Sequence, residues 1–186
     1  MTTRNCFYIG AGHSNTDPGA TTKDNSFTEA QLVTELRNLV VANMRAKGAS
    51  VVTDGEGNTN QPLSEAIKLA NNCSCARIEL HLNAFNSPNA AGVECLSLKT
   101  QRPLTQKLAQ AIAKEMDIRL RGEDGGWKPD NAGAHPRLAF CREAEGIIVE
   151  CFFLTNPEEL NKYLNRKDTV ATTIAETLLA NCTNQA

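Results

Sequence analysis

Four side chains in this sequence of 186 residues have types and settings that suit chemistry: His13, Glu29, His81 and Glu150. Glu150 is the most unusual. It is the one carboxylate in "GIIVECFFL", a run that otherwise belongs in the middle of a buried sheet. Burying an unpaired carboxylate costs several kcal/mol, so such a residue is normally paired, protonated or at a pocket. At a pocket burial raises its pKa, which suits a general base or acid. The plain alternative is a strand end at which Glu150 reaches water.

His81 lies in "ARIELHLNAF", where Ile78, Leu80 and Leu82 alternate with Glu79, His81 and Asn83. The period of two predicts a strand with the polar trio on one face. A lone histidine there is usually structural. His13, however, follows another apolar run, in "YIGAGHSNTDPGA", just beyond the expected strand end. Open α/β sheets place their ligands at the carboxyl ends of their strands, so two imidazoles from two such ends can meet around one ion. Glu29 has two readings. "SFTE" is a capping box before a helix, with Ser26 as the cap and Glu29 reaching back to it. The same first turn is also where a third ligand could enter the cleft. His, Glu and His with one water make the open zinc site of a hydrolase.

The elements that must position these residues read as follows. "CFYIG" is a short buried strand. From Phe27 to Gly48, Leu32, Val33, Leu36, Leu39, Val40 and Met44 recur at helical spacing, with Gly48 as the stop. "ASVVTDG" is a second strand. Pro62 opens a helix, "GVECLSL" is a strand, and Pro103 to Leu120 is a helix. Gly122 to Arg137 forms a long loop, followed by "LAFC" and "GIIVECFFL" as apolar runs. Asn156-Pro157 caps a short helix and Asp168 caps the last one. Alternation of this kind predicts one α/β domain, with a mostly parallel twisted sheet and helices on both faces.

Composition narrows the partners. Nineteen Lys+Arg against 21 Asp+Glu give a formal charge of −2, against nucleic acid or an anionic membrane as a partner bound by bulk charge. There is no run of about 18 apolar residues to span a membrane. "MTTRNCFYIG" lacks the pattern of a secretory signal. The seven cysteines are an odd count, mostly inside apolar runs (Cys6, Cys95, Cys141, Cys151), and Cys73 and Cys75 are spaced C-x-C. Reduced, buried thiols in a cytoplasmically made protein are the expectation.

Taken together, these segments resemble the zinc-dependent N-acetylmuramoyl-L-alanine amidase family of the amidase 3 type, over nearly the whole chain. "GAGHSNTDPGA" is similar to its opening G-H-x-x-x-D-P-G-A signature, and "TEAQLVTEL" stands in the place of its helix-borne glutamate. "ELHLNAF" is similar to its H-x-N-A segment, "GVECLSL" to the following G-V-E strand, and "LAFCREAEGIIVECFFLTNPEE" to its closing segment. The resemblance implies that His13, Glu29 and His81 bind one Zn2+ ion and that Glu150 is the catalytic carboxylate. It implies peptidoglycan as the partner, cut at the amide between N-acetylmuramic acid and L-alanine. Asp17, Pro18 and Gly19 shape the His13 loop, with a direct metal role for Asp17 as the lesser reading.

This chain departs from the family at Glu79, where a small hydroxyl residue is common. Glu79 then orients His81, competes as a ligand, or is a surface charge, and the first is the expectation. The loop "GGWKPDNAGAHPR" matches no family motif. Trp127 by stacking and His135 by hydrogen bonding are its candidate substrate contacts, against a tryptophan that simply packs on the domain. Two rival functions differ from the amidase: a zinc peptidase on a related scaffold, and a non-catalytic wall-binding or regulatory protein. The setting resembled is that of a phage lysis enzyme without a separate wall-binding module, made in the cytoplasm and released onto the wall by a holin-like factor. The oligomeric state is not legible.

Overall fold

The computed structural model describes residues 6–14, 16–122, 124–132 and 137–182. Along the chain run β1 (Phe7–Ala11), α1 (Glu29–Ala46), β2 (Val51–Thr53), α2 (Leu63–Ala70), β3 (Arg77–Asn83) and β4 (Glu94–Ser97). Then come α3 (Arg102–Met116), β5 (Trp127–Pro129), α4 (Ala139–Glu143), β6 (Ile147–Phe153) and α5 (Pro157–Cys182). The six strands lie in the order β2-β1-β3-β6-β4-β5. All neighbours are parallel except β4 and β6, which are antiparallel. The expected α/β architecture is present, with helices on both faces.

The two faces are unequal. On one, α1, α3 and α5 cover the sheet with a continuous core in which Leu36, Leu108 and Ile174 meet Ile78, Leu80 and Val149. Fully burying each such side chain stabilises the fold by roughly 1.5–3 kcal/mol. On the other face, the short α2 and α4 pack Ala66, Ile67 and Phe140 against Tyr8, Leu96 and Ile148. Alternation along β3 sends Ile78, Leu80 and Leu82 into the first core and turns Glu79, His81 and Asn83 to the thinly covered face.

Several local expectations are corrected. "LAFC", legible only as an apolar run, leads into one short helix, Ala139–Glu143, since four residues carry no period to distinguish helix from strand. Asp168 caps nothing. It is an exposed residue inside a continuous α5, whose buried stripe runs from Tyr163 through Val170 and Ile174 to Leu178. Asn156 does cap that helix, its Oδ1 accepting from the amides of Glu158 and Glu159 at 3.0 and 3.2 Å. The loop after Gly122 contributes β5, an edge strand too short to announce itself by alternation.

The cysteines are corrected most clearly. Cys6 pairs with Cys73 and Cys75 with Cys182, at Cα separations of 4.9 and 5.9 Å. Both separations lie in the ordinary range for disulfides. Cys95, Cys141 and Cys151 are the buried free thiols. Spacing in the sequence could not show the pairs. The Cys75 amide donates to the Cys6 carbonyl at 3.0 Å beside the β1–β3 ladder, and the end of α5 reaches the same edge. Covalent closure over separations of 67 and 107 residues restricts the unfolded chain, typically worth about 2–4 kcal/mol per bridge.

Candidate active site

A cleft of about 790 Å³ opens on the thinly covered face, with His13, His81 and Glu150 in its wall together with the apolar Leu63 and Phe140. His13 sits just past β1 on a loop braced from below. Asn60 Nδ2 donates to the carbonyls of Ala11 (3.0 Å) and His13 (2.7 Å). The Ala11 amide donates to Asp54 Oδ2 at 3.0 Å, and Asp54 Oδ1 accepts from Arg37 at 3.0 Å in a fully buried pair. Asp17 Oδ2 lies 3.1 Å from His13 Nδ1 and so orients the ring. Two glycines make the convergence sterically feasible. A Cβ on Gly12 would fall 2.0 Å from the His81 ring. One on Gly19, which has φ +63°, would fall 2.7 Å from Glu29 Oε2.

Glu29 is not a capping residue. The cap of α1 is Thr28, whose Oγ1 accepts from the Gln31 amide at 3.2 Å while Gln31 Oε1 accepts from the Thr28 amide at 3.0 Å. The capping box is real but begins two residues after Ser26, and Glu29 is released from it to point inward. Buried, it accepts from the amides of Leu82 (2.9 Å) and Ala20 (3.0 Å). Its Oε1 also lies 3.4 Å from His13 Nε2 and 3.3 Å from His81 Nδ1. One donor atom from each of His13, Glu29 and His81 falls within 4.8 Å of the others. Burial opposes charge on both partners here. Hydrogen bonds and mutual attraction outweigh it, holding Glu29 below the usual carboxylate range and His81 well above the usual imidazole value.

Across the sheet, His81, Glu150 and Glu94 form one row, on β3, β6 and β4. Glu150 Oε2 is buried without a hydrogen-bond partner among the described residues. Burial, reinforced by the nearby Glu29, Glu94 and Glu79 and only partly opposed by His81, pushes its pKa up to about 7. Glu94 behaves oppositely. Burial disfavours its charge, but Lys128 Nζ (2.6 Å) and Arg121 Nε (2.5 Å) more than offset this and lower its pKa. Asn83 Nδ2 donates to its other oxygen at 2.7 Å.

The tertiary structure thus brings His13, Glu29, His81, Glu79, Asn83 and Glu150 to one place. Trp127 is not there. It lies on β5, donating from Nε1 to Ser97 Oγ at 3.0 Å with the Arg102 guanidinium 5.1 Å from its ring centre, which is the packing reading of that residue. His135 lies outside the described residues. Sequence reasoning overlooked Glu94, although "GVECLSL" strands a carboxylate among apolar residues just as "GIIVECFFL" does.

Comparison with known proteins gives the family. The family model described as N-acetylmuramoyl-L-alanine amidase matches residues 8–180. A Neisseria meningitidis protein described as such an amidase is 40% identical, with 95% of each chain covered and a TM-score of 0.85. The amidase AmiC2 of Nostoc punctiforme is 19% identical, covering 98% of this chain and 99% of its own, with a TM-score of 0.84. The catalytic domain of the CD27L endolysin, which targets Clostridia difficile, is 22% identical over 95% and 98% of the two chains, with a TM-score of 0.69. The search of curated proteins gives no match. The family match and the Neisseria relative define a hydrolase of the peptidoglycan-cleaving class. The chain belongs to the N-acetylmuramoyl-L-alanine amidase family.

Proposed function

We propose that His13, Glu29 and His81 hold a single Zn2+ ion and that Glu150 moves the protons in hydrolysis of the amide between N-acetylmuramic acid and L-alanine. Two imidazoles and a carboxylate within 4.8 Å of one another are a donor set that suits zinc and leaves a position for chemistry. When bound, zinc supplies a Lewis acid for the scissile carbonyl and lowers the pKa of water.

The chain's own groups account for the rest. Glu29 is held rigid by two backbone amides, so the ligand cluster is preorganised. Glu150 in its ionised form accepts a proton from the attacking water. In its protonated form it returns that proton to the departing alanine nitrogen. A carboxyl with a pKa raised to about 7 is poised for both steps near neutral pH. The observation that carries this reading is the Glu150 oxygen without a partner among the described residues, in the same cleft as His13 and His81, whose ring nitrogens lie 3.4 and 3.3 Å from Glu29 Oε1.

The test is Glu150→Gln, with zinc content measured by elemental analysis and digested sacculi read by mass spectrometry. Retained zinc with no new amino-terminal alanine is expected. Undiminished release of that alanine by the zinc-loaded variant would remove Glu150 from the mechanism.

The setting that best accommodates these features is bacterial lysis by a phage. The 186 residues act as one catalytic unit, made in the cytoplasm and delivered to the wall by a holin-like factor. Likeness to an endolysin catalytic domain supports this reading. The two disulfides then close after the chain leaves the reducing cytoplasm. Expression in cells with and without an added membrane-permeabilising factor tests it, lysis being expected only with the factor.

A further inference from the structure

We propose that Glu79 is a positioning residue that dictates which nitrogen His81 offers to the metal: it holds the proton on Nε2 and so leaves the Nδ1 lone pair facing the ligand cluster. The inference rests on the reading of His13, Glu29 and His81 as metal ligands.

A neutral imidazole carries one N–H and one lone pair, and a metal takes the lone pair. Both ring nitrogens of His81 face a carboxylate. Nδ1 lies 3.3 Å from Glu29 Oε1, the same oxygen that lies 3.4 Å from His13 Nε2, so Nδ1 is the atom aimed into the cluster. Nε2 lies 3.2 Å from Glu79 Oε2. With the proton on Nε2, one arrangement satisfies both sides of the ring. With the proton on Nδ1, the lone pair on Nε2 would meet a carboxylate and the N–H would point at the ion.

The surroundings hold this arrangement in place. Gly12 lets the backbone press against the ring, leaving no space there even for a methyl group. In the ladders on either side, Glu79 stands opposite Gly10 on β1 and Ile148 on β6, and neither side chain offers a donor. Glu79 is 6% exposed and among the described residues has His81 as its side-chain partner.

His13 shows the complementary arrangement. Its Nε2 faces the cluster and its Nδ1 is held by Asp17 Oδ2 at 3.1 Å. The two histidines therefore enter through opposite nitrogens, each with the other nitrogen held by a carboxylate. The carboxylates are not equivalent. The Asp17 side chain is 68% exposed and Glu79 is buried, so water competes for the first hydrogen bond and hardly for the second.

Two measurements test the proposal. In the zinc-loaded protein, long-range 1H–15N correlation of the imidazoles should show His81 bound through Nδ1 with Nε2 protonated, and His13 bound through Nε2. In competition with a chromophoric chelator, Glu79→Leu should bind zinc about 10- to 100-fold more weakly, as expected for loss of an outer partner of a ligand histidine. Glu79→Gln keeps an acceptor oxygen and should recover most of that affinity, and Asp17→Ala should lose less than Glu79→Leu.

His81 bound through Nε2 would overturn the proposal while leaving the ligand set intact. So would a folded Glu79→Leu with wild-type zinc affinity. If neither histidine shows a metal-shifted nitrogen, the ligand set falls and the proposal with it. Should Glu79→Leu fail to fold, the correlation spectrum of the unmutated protein decides.

Discussion

Two strands of the sheet carry the same tripeptide: Val93-Glu94-Cys95 at β4 and Val149-Glu150-Cys151 in β6. The strands are antiparallel neighbours, and the two glutamates face each other directly in register. Both are withdrawn from water, yet their pKa values move in opposite directions. Glu94 is met by Lys128 from β5 and by Arg121, and Asn83 occupies its remaining oxygen. Glu150 pairs with no lysine or arginine among the described residues, is only partly compensated by His81, and keeps one oxygen without a hydrogen-bond partner among them. A buried carboxylate whose lone pairs are taken is part of the frame. One left unsatisfied in a cleft is available for chemistry. Glu94 still influences its neighbour, because its charge is one of those that raise the Glu150 pKa.

The contrast can be broken by experiment. The largest effect is on turnover: Glu150→Gln should lower kcat about 100- to 10,000-fold, the usual span for removal of a general base, whereas Glu94→Gln should retain most activity. Equal losses in the two variants would end the distinction. Next is stability, where the order reverses. Glu94→Gln weakens two ion pairs whose cations are partly exposed, and chemical denaturation should show a loss of about 1–3 kcal/mol.

Glu150→Gln should instead stabilise the zinc-free protein, but only at higher pH. With the folded pKa near 7 and the unfolded value near 4.5, the native state binds the extra proton between them. The Glu150 contribution is therefore fully present below about 4.5 and is lost as pH rises through about 7. A gain on the order of 1–3 kcal/mol at pH 8, shrinking steadily with falling pH and gone near pH 4, is expected from melting curves. The smallest effect sharpens the comparison. Glu94→Gln removes a negative charge near Glu150 and frees two cations, so the acidic limb of the kcat/KM profile should move to lower pH. A shift to higher pH would contradict the assigned coupling.

How much of this was readable beforehand depends on the kind of signal. The strand face of Glu79, His81 and Asn83 was legible because alternation is a local property, and α1 was legible from its apolar spacing. Glu29 was ambiguous because two capping boxes compete within three residues. Only the observed hydrogen bonds give the cap to Thr28 and Gln31. Trp127 could be read as a substrate contact or as packing, since nothing in a glycine-rich loop shows that its strand will add to the sheet edge beside β4. The disulfides were misread for a similar reason: their partners are separated by 67 and 107 residues.

The chain by itself determined its alternating elements, the polar face of β3 and the presence of a carboxylate in each of two apolar strands. These follow from periods of two and 3.6 residues that any short segment carries within itself. Only the tertiary structure decided which of two identical Val-Glu-Cys segments would be neutralised. That choice turns on where Lys128 and Arg121 come to rest, and electrostatic attraction acts through distance in space, without regard to separation along the chain.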